Sequence, residues 1–191
     1  MWPAADLQAF CAALANGAIA AAPAEGVYGY VADPAQPQSL EKLHKLKARS
    51  PHKAGYILLL PDATWLAKLA PALPAAVQAA VETYWPCPQH HAVTLLIPTT
   101  PAHFPYSADL IPQSPDGQHY FAARVPATAY MQTYLQAWGK PLISTSLNVS
   151  GEPPVTHARH LPHGMVSLTL AEELSGNASR IFNPLMGVWL R

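Results

Sequence analysis

Proline sets the first limit on what this chain can fold into. It occurs 21 times in 191 residues, about twice the usual share of ~5%, and each occurrence fixes φ and removes a backbone donor. The prolines are dispersed among apolar periodic segments and form no low-complexity run. A loop-rich globular chain follows, not a disordered one. Half of the positions are apolar, so a chain of this length can bury a substantial core, and one domain over residues 1–191 is expected in preference to two.

Charge narrows the function classes. Eleven Lys and Arg residues balance eleven Asp and Glu, so no global basic field announces nucleic acid, and a polyanion would have to meet a local patch. No run approaches ~18 uninterrupted apolar residues, which leaves no membrane span in the reading. The stretch AALANGAIAAAPA lacks the preceding Lys or Arg of a signal peptide and is interrupted by Asn16 and Gly17. Two cysteines, Cys11 and Cys87, make no disulfide framework, and Cys11 is expected on a buried helix face; a cytoplasmic home fits.

Periodicity then orders the segments. Leu7, Phe10, Cys11 and Leu14 recur at helical spacing, Gly17 stops that helix, and residues 18–22 read as a strand ended by Pro23. Ser39 is placed to cap a second helix, with Leu40, Leu43 and Leu46 inward and Lys42, Lys45 and Lys47 toward its rim or C-terminal end. YILLL (56–60), AVTLLI (92–97), HYFAARV (119–125) and PLIS (141–144) read as strands. Residues 74–84 and 128–138 read as helices, the latter closed by Gly139. MVSLTL and GVWL look like strands, and residues 172–174 like a helical turn. With a long loop over residues 99–118, this pattern argues for an α/β sheet with irregular crossovers.

Four segments carry chemistry. In LKARSPHK, Lys47, Arg49 and Lys53 can converge on phosphate oxygens; alone, the same cations suit a solvated helix end. In KPLISTSLNVSGEPP, five of the seven residues from Ser144 to Ser150 carry a hydroxyl or amide. Ser144, Ser146 and Asn148, at alternate positions, point to one side of a strand end, where such groups hold phosphate or ribose. Equally, they could satisfy their own turn. APAEGVYGY places Glu25 and Tyr28 beside Gly26 and Gly29, which allow close approach to a ligand or make an ordinary turn. Arg124, the one cation in YFAARVP, would suit a carboxylate at a pocket rim or snorkel to solvent.

In this order and spacing the segments resemble the YrdC/TsaC family of threonylcarbamoyl-AMP synthases, from about residue 17 to 154. PAEGVYGY resembles the family's PTE-x-VYGL loop. Lys47, Arg49 and Lys53 match its KxR with a further Lys; VTLLIP and ARVP match two strands; KPLISTSLNVSGEPP matches KPLxSTSAN-x-SGEPP. The resemblance implies a YrdC-like α/β fold: a twisted mixed sheet flanked by helices, with a concave cationic pocket. It further implies synthesis of L-threonylcarbamoyladenylate and pyrophosphate from L-threonine, bicarbonate and ATP with Mg2+, for modification of adenosine 37 in tRNA. Lys47 and Arg49 would be catalytic. ATP would be held by Lys47, Arg49, Lys53, Ser144, Ser146 and Asn148, and threonine by Arg124, Tyr28 and Glu25. Contact with tRNA and with the downstream transfer machinery is compatible with the same resemblance.

The chain departs from the family at several points. Ala24 stands where the family has Thr, PGPVT is replaced by CPQHHAVT, Leu147 replaces Ala, and Ser50 follows Arg49 where Pro is usual. SRIFNPLMGVWLR matches short members only loosely. A non-catalytic RNA-binding relative, or a nucleotide or amino-acid sensor, is the alternative. Zinc sites at His157, His160 and His163, or at Cys87, His90 and His91, lack CxxC or HExxH spacing and read as incidental.

Overall fold

The computed structural model describes residues 2–47, 56–87, 92–115, 117–148 and 152–191. Arg49, Ser50, Lys53, His90 and His91, singled out above, lie outside them. In chain order the elements are α1 (Ala4–Ala15), β1 (Ala20–Ala24), β2 (Val27–Ala32), α2 (Pro37–Lys47), β3 (Ile57–Leu59), α3 (Leu66–Leu69), α4 (Ala75–Tyr84), β4 (Val93–Thr99), β5 (His119–Arg124), α5 (Ala129–Trp138), β6 (Leu142–Ser146), β7 (Arg180–Asn183) and β8 (Val188–Trp189). The strands form one sheet in the order β1-β2-β6-β3-β5-β4-β7-β8. The sheet is mixed: β3–β5 and β4–β7 are parallel and the other five pairings antiparallel. Among the described residues no helix is long and apolar enough to cross a membrane.

Each face of the sheet is packed by helices. On one, Leu58, Ile143, Phe121, Ala123, Leu95 and Ile97 meet Leu40 and Leu43 of α2 and Val77 and Ala80 of α4. On the other, alternate residues Ala22, Ala24, Val31, Leu59 and Leu142 meet Phe10 and Leu14 of α1 and Met131, Tyr134 and Leu135 of α5. Burying one fully enclosed Leu or Phe contributes about 2 kcal/mol, so these two layers are the main favourable term in the fold.

The structure corrects several expectations. Pro23 lies inside β1, which starts and ends two residues later than expected. β1 is a sheet edge, and Pro23 pairs with Tyr28, whose backbone groups bond instead to Val155 and Leu147. The pair therefore exchanges no ladder bond, and the missing proline donor costs nothing. α2 begins at Pro37 and not after a Ser39 cap, as suits a proline at the first helical position. Leu46 is 47% exposed and Lys47 only 3%, the reverse of the expected arrangement. At 100° per residue Lys47 lies between Leu40 and Leu43 on the helix face, whereas Leu46 is turned away. Cys11 is half-buried. MVSLTL contributes a single bridge, Ser167 to Ala21, residues 172–174 form no helical turn, and β7 was not foreseen.

Candidate nucleotide and amino-acid site

The polar end of β6 is built by alternation. Leu142, Ser144 and Ser146 share one side of the strand, while Ile143 packs into the opposite core. Across the sheet Ser144 pairs with Val31 and Ile57, Ile57 with Ala122, and Ala122 with Leu96. Ile57, Leu96 and Ala122 floor a cavity of about 450 Å3 whose walls include Tyr56, Tyr120, Asp109, Gln113 and Arg191. The helices α1 and α5 cover the β1-β2-β6-β3 end of this face, and the cavity lies beside them. Apolar floor, two aromatic rings and a few convergent polar groups make a small-molecule site.

Lys47 reaches this strand end from α2. Its Nζ donates to the carbonyl of Ser146 at 2.8 Å, to the carbonyl of Asn148, and to Asn148 Oδ1 at 3.1 Å. Ser146 Oγ donates to Asn148 Oδ1 at 2.6 Å, and Asn148 Nδ2 donates to the carbonyl of Glu152 at 2.7 Å. The family resemblance implies that Lys47, Ser146 and Asn148 share one ATP site; the structure joins the three in one hydrogen-bonded cluster. All three N–H groups of the ammonium meet protein oxygens, so the cluster braces the end of β6 and sets a positive charge beside the Ser146 hydroxyl.

Glu25 and Arg124 form the second cluster. Arg124 Nε lies 3.0 Å from Glu25 Oε2, and the two side chains are 4% and 7% exposed. Burial pushes the Glu25 carboxyl above its ordinary value, with the Arg124 charge opposing. Tyr28 is fully buried, and its hydroxyl accepts the N–H of Leu170 at 2.9 Å. Tyr28 and Glu25, expected with Arg124 to hold threonine, are, like Arg124, buried. Ser144 is also buried. A Cβ at Gly29 would lie 3.1 Å from Ser144 Oγ and 3.5 Å from the Ala24 methyl, so Gly29, Ala24 and Ser144 pack as one group of small side chains.

Three residues here, Arg191, Ser179 and Thr94, are not among those the sequence singles out. Arg191 lines the cavity; its Nε donates to the Ser179 carbonyl at 3.0 Å, and Thr94 Oγ1 donates to Ser179 Oγ at 3.0 Å. Burial and the nearby charge of Arg124 lower the Arg191 pKa. A cation ending the alternating GVWLR segment was the available signal. Among the described residues no three His, Cys, Asp or Glu side chains could hold a metal ion, and His157 instead meets Glu173 at 3.2 Å.

The fold and site define a class before any particular activity. Sua5 of P. abyssi in complex with L-threonine superposes with a TM-score of 0.76 at 21% identity, over 93% of this chain and 50% of that one. E. coli YciO superposes with a TM-score of 0.75 at 15% identity, over 94% and 83%. These likenesses establish a shared fold, and the chain spans about half the length of the Sua5 chain it matches. A sequence model of the Sua5/YciO/YrdC family, described as "Telomere recombination", matches residues 12–179, and the chain belongs to that family. Relatives named threonylcarbamoyl-AMP synthase include one from Stenotrophomonas maltophilia, 33% identical over 85% of this chain and 82% of its own. Another, from Alkalilimnicola ehrlichii, is 34% identical over 91% and 86%.

Proposed function

We propose that the chain is a threonylcarbamoyl-AMP synthase, making L-threonylcarbamoyladenylate and pyrophosphate from L-threonine, bicarbonate and MgATP in the cytoplasm, for adenosine 37 of tRNA. The observation that carries the reading is the Lys47–Ser146–Asn148 cluster, standing where the family's KxR and SxN segments meet. The relatives' shared name supports it.

Threonine's free amine adds to carbon dioxide formed from bicarbonate and loses a proton to solvent, leaving a carbamate. A carbamate oxygen then attacks the α-phosphorus as the bond to the bridging oxygen breaks, and the electron pair leaves on pyrophosphate. Negative charge grows on the leaving group, so Lys47 and Arg49 act as electrostatic stabilisers, and Lys53 adds a further positive charge for ATP. Ser144, Ser146 and Asn148 orient the nucleotide, whose base and ribose suit the cavity floored by Ile57, Ala122 and Leu96. Arg124 takes the threonine carboxylate. Magnesium would enter with the triphosphate as part of the substrate and add positive charge against the leaving group. Proximity does much of the work, because the carbamate supplies its own nucleophile.

The test is mass-spectrometric detection of the adenylate after incubation with MgATP, L-threonine and bicarbonate, with pyrophosphate measured in parallel. Product that disappears when threonine or bicarbonate is omitted supports the synthase. No product, with threonine or ATP still raising the melting temperature, would identify a binding protein on the same fold.

A further inference from the structure

Glu25 occupies a position that its backbone makes costly. Its φ of 66° is the only positive value at a non-glycine among the described residues, in a region where glycine or asparagine is the usual occupant. The turn is held from two sides. Tyr130 donates its hydroxyl to the Glu25 carbonyl at 2.9 Å, and Gly176 donates its N–H to the Gly26 carbonyl at 2.8 Å. Such enforcement favours a turn kept for its side chain.

That side chain serves Arg124. Glu25 Oε1 and Oε2 and Arg124 Nε are buried without hydrogen-bond partners, and the two Nη nitrogens of Arg124 are not among the atoms so isolated. The contact at 3.0 Å is thus charge against charge on the Nε edge. No hydrogen bond among the described residues takes up the Nη edge, and the charge of Arg124 is felt at Arg191, which lines the cavity.

We propose that Glu25 is a positioning residue: it holds Arg124 by the Nε edge so that the Nη pair is presented to the amino-acid carboxylate, and it does not itself touch substrate. The inference rests on the synthase reading, replaces a direct role of Glu25 in binding threonine, and makes the pair a preset receptor for one carboxylate. A guanidinium binds a carboxylate best through two parallel N–H groups, so losing its orientation costs affinity even when the charge remains.

The experiment compares wild type with Glu25→Gln, titrating L-threonine, L-threoninamide and MgATP by calorimetry, beside the pyrophosphate assay. The expected result is threonine binding weakened at least tenfold in the variant, MgATP binding within twofold, and the preference for threonine over its amide reduced by the same factor. Unchanged threonine affinity overturns the proposal, as does tighter binding, which would make Glu25 a competitor for Arg124. Threonine and MgATP affinities falling together would also overturn it, marking a structural role. Should Glu25→Gln not fold, Glu25→Asp, which keeps the charge but withdraws it by one methylene, takes the same titrations with the same expected split. Wild type that binds threonine and MgATP yet releases no pyrophosphate sinks the synthase reading alone, and the affinity comparison still decides the role of Glu25. Wild type that binds no threonine overturns both.

Discussion

Lys47 Nζ and the carbonyl oxygen of Ser146 lie 2.8 Å apart, joining the end of α2 to the end of β6 across 99 residues of sequence. The ammonium also takes the carbonyl and side-chain oxygen of Asn148, so a charged group braces the strand end that carries the site's hydroxyls. Replacing Lys47 with Met keeps much of the apolar stem and removes the donor. Two backbone carbonyls then lose a charged partner, and stability should fall by about 2–3 kcal/mol, read as a lower urea midpoint. Activity should fall by about 100-fold or more, the usual effect of losing one electrostatic stabiliser. A variant with full activity would remove Lys47 from the chemistry.

The β1–β2 turn predicts a second outcome. A Cβ on Gly26 would lie 2.0 Å from the Asn177 carbonyl oxygen and 2.8 Å from Ser175 Oγ. Backbone cannot yield as a side-chain tip can, so Gly26→Ala should cost about 1–3 kcal/mol or more. Because Glu25 precedes it, threonine affinity should also fall. Thermal unfolding and threonine titration of the same variant check both halves; an unaltered melting temperature would mean that the C-terminal segment moves freely off the turn.

How much of this was legible in the sequence differs from element to element, and the reasons are physical. The segment KPLISTSLNVSGEPP could be read because alternation and polarity agree in it, and the structure joins Ser146 and Asn148 to Lys47. The burial of Lys47 could not. A lysine at a helix end is ordinarily solvated, and only the carbonyls of a strand distant in sequence make its burial favourable. Pro23 misled because a proline in an apolar run usually ends it; the exception requires knowing that the strand is an edge and that its partner bonds elsewhere. β7 is four residues long, too short to show periodicity, whereas β8 falls within GVWL, the segment that reads as a strand. β7 pairs with β4, more than eighty residues upstream, a pairing no local pattern announces, and β8 folds back on β7.

Cys87 gives a prediction in pH. Its thiol is fully buried and donates to the Val93 carbonyl at 3.2 Å while accepting the Val93 N–H at 3.3 Å. Burial raises its pKa from 9.0 to about 11. The folded state therefore holds a proton that the unfolded state gives up, so this contribution is fully present below pH 9 and lost as pH rises through about 11. At ~1.4 kcal/mol per unit the loss is about 2–3 kcal/mol. Cys87→Ala should show a shallower decline of stability over that range. At pH 8 the native thiol should resist iodoacetamide and react fully in urea; rapid native alkylation would contradict its burial.

Ala24 marks the departure from family pattern whose surroundings are best defined. It closes β1, and its methyl and Ser144 Oγ both lie close to where a Gly29 Cβ would be. A hydroxyl introduced there would point among Gly29, Ser144 and the strand end braced by Lys47. One buried donor or acceptor is worth about 1 kcal/mol when it finds a partner and costs about 1–3 kcal/mol when it does not. Ala24→Thr should therefore raise kcat/KM for threonine several-fold if the substrate supplies that partner, with little change in the KM for ATP. It should also lower the stability of the free protein slightly, because the hydroxyl awaits its ligand. Steady-state kinetics on both substrates, beside thermal unfolding with and without threonine, separates the two effects. If activity falls instead, the gap is already filled by Ala24 against Gly29 and Ser144, and the chain has repacked around the missing hydroxyl.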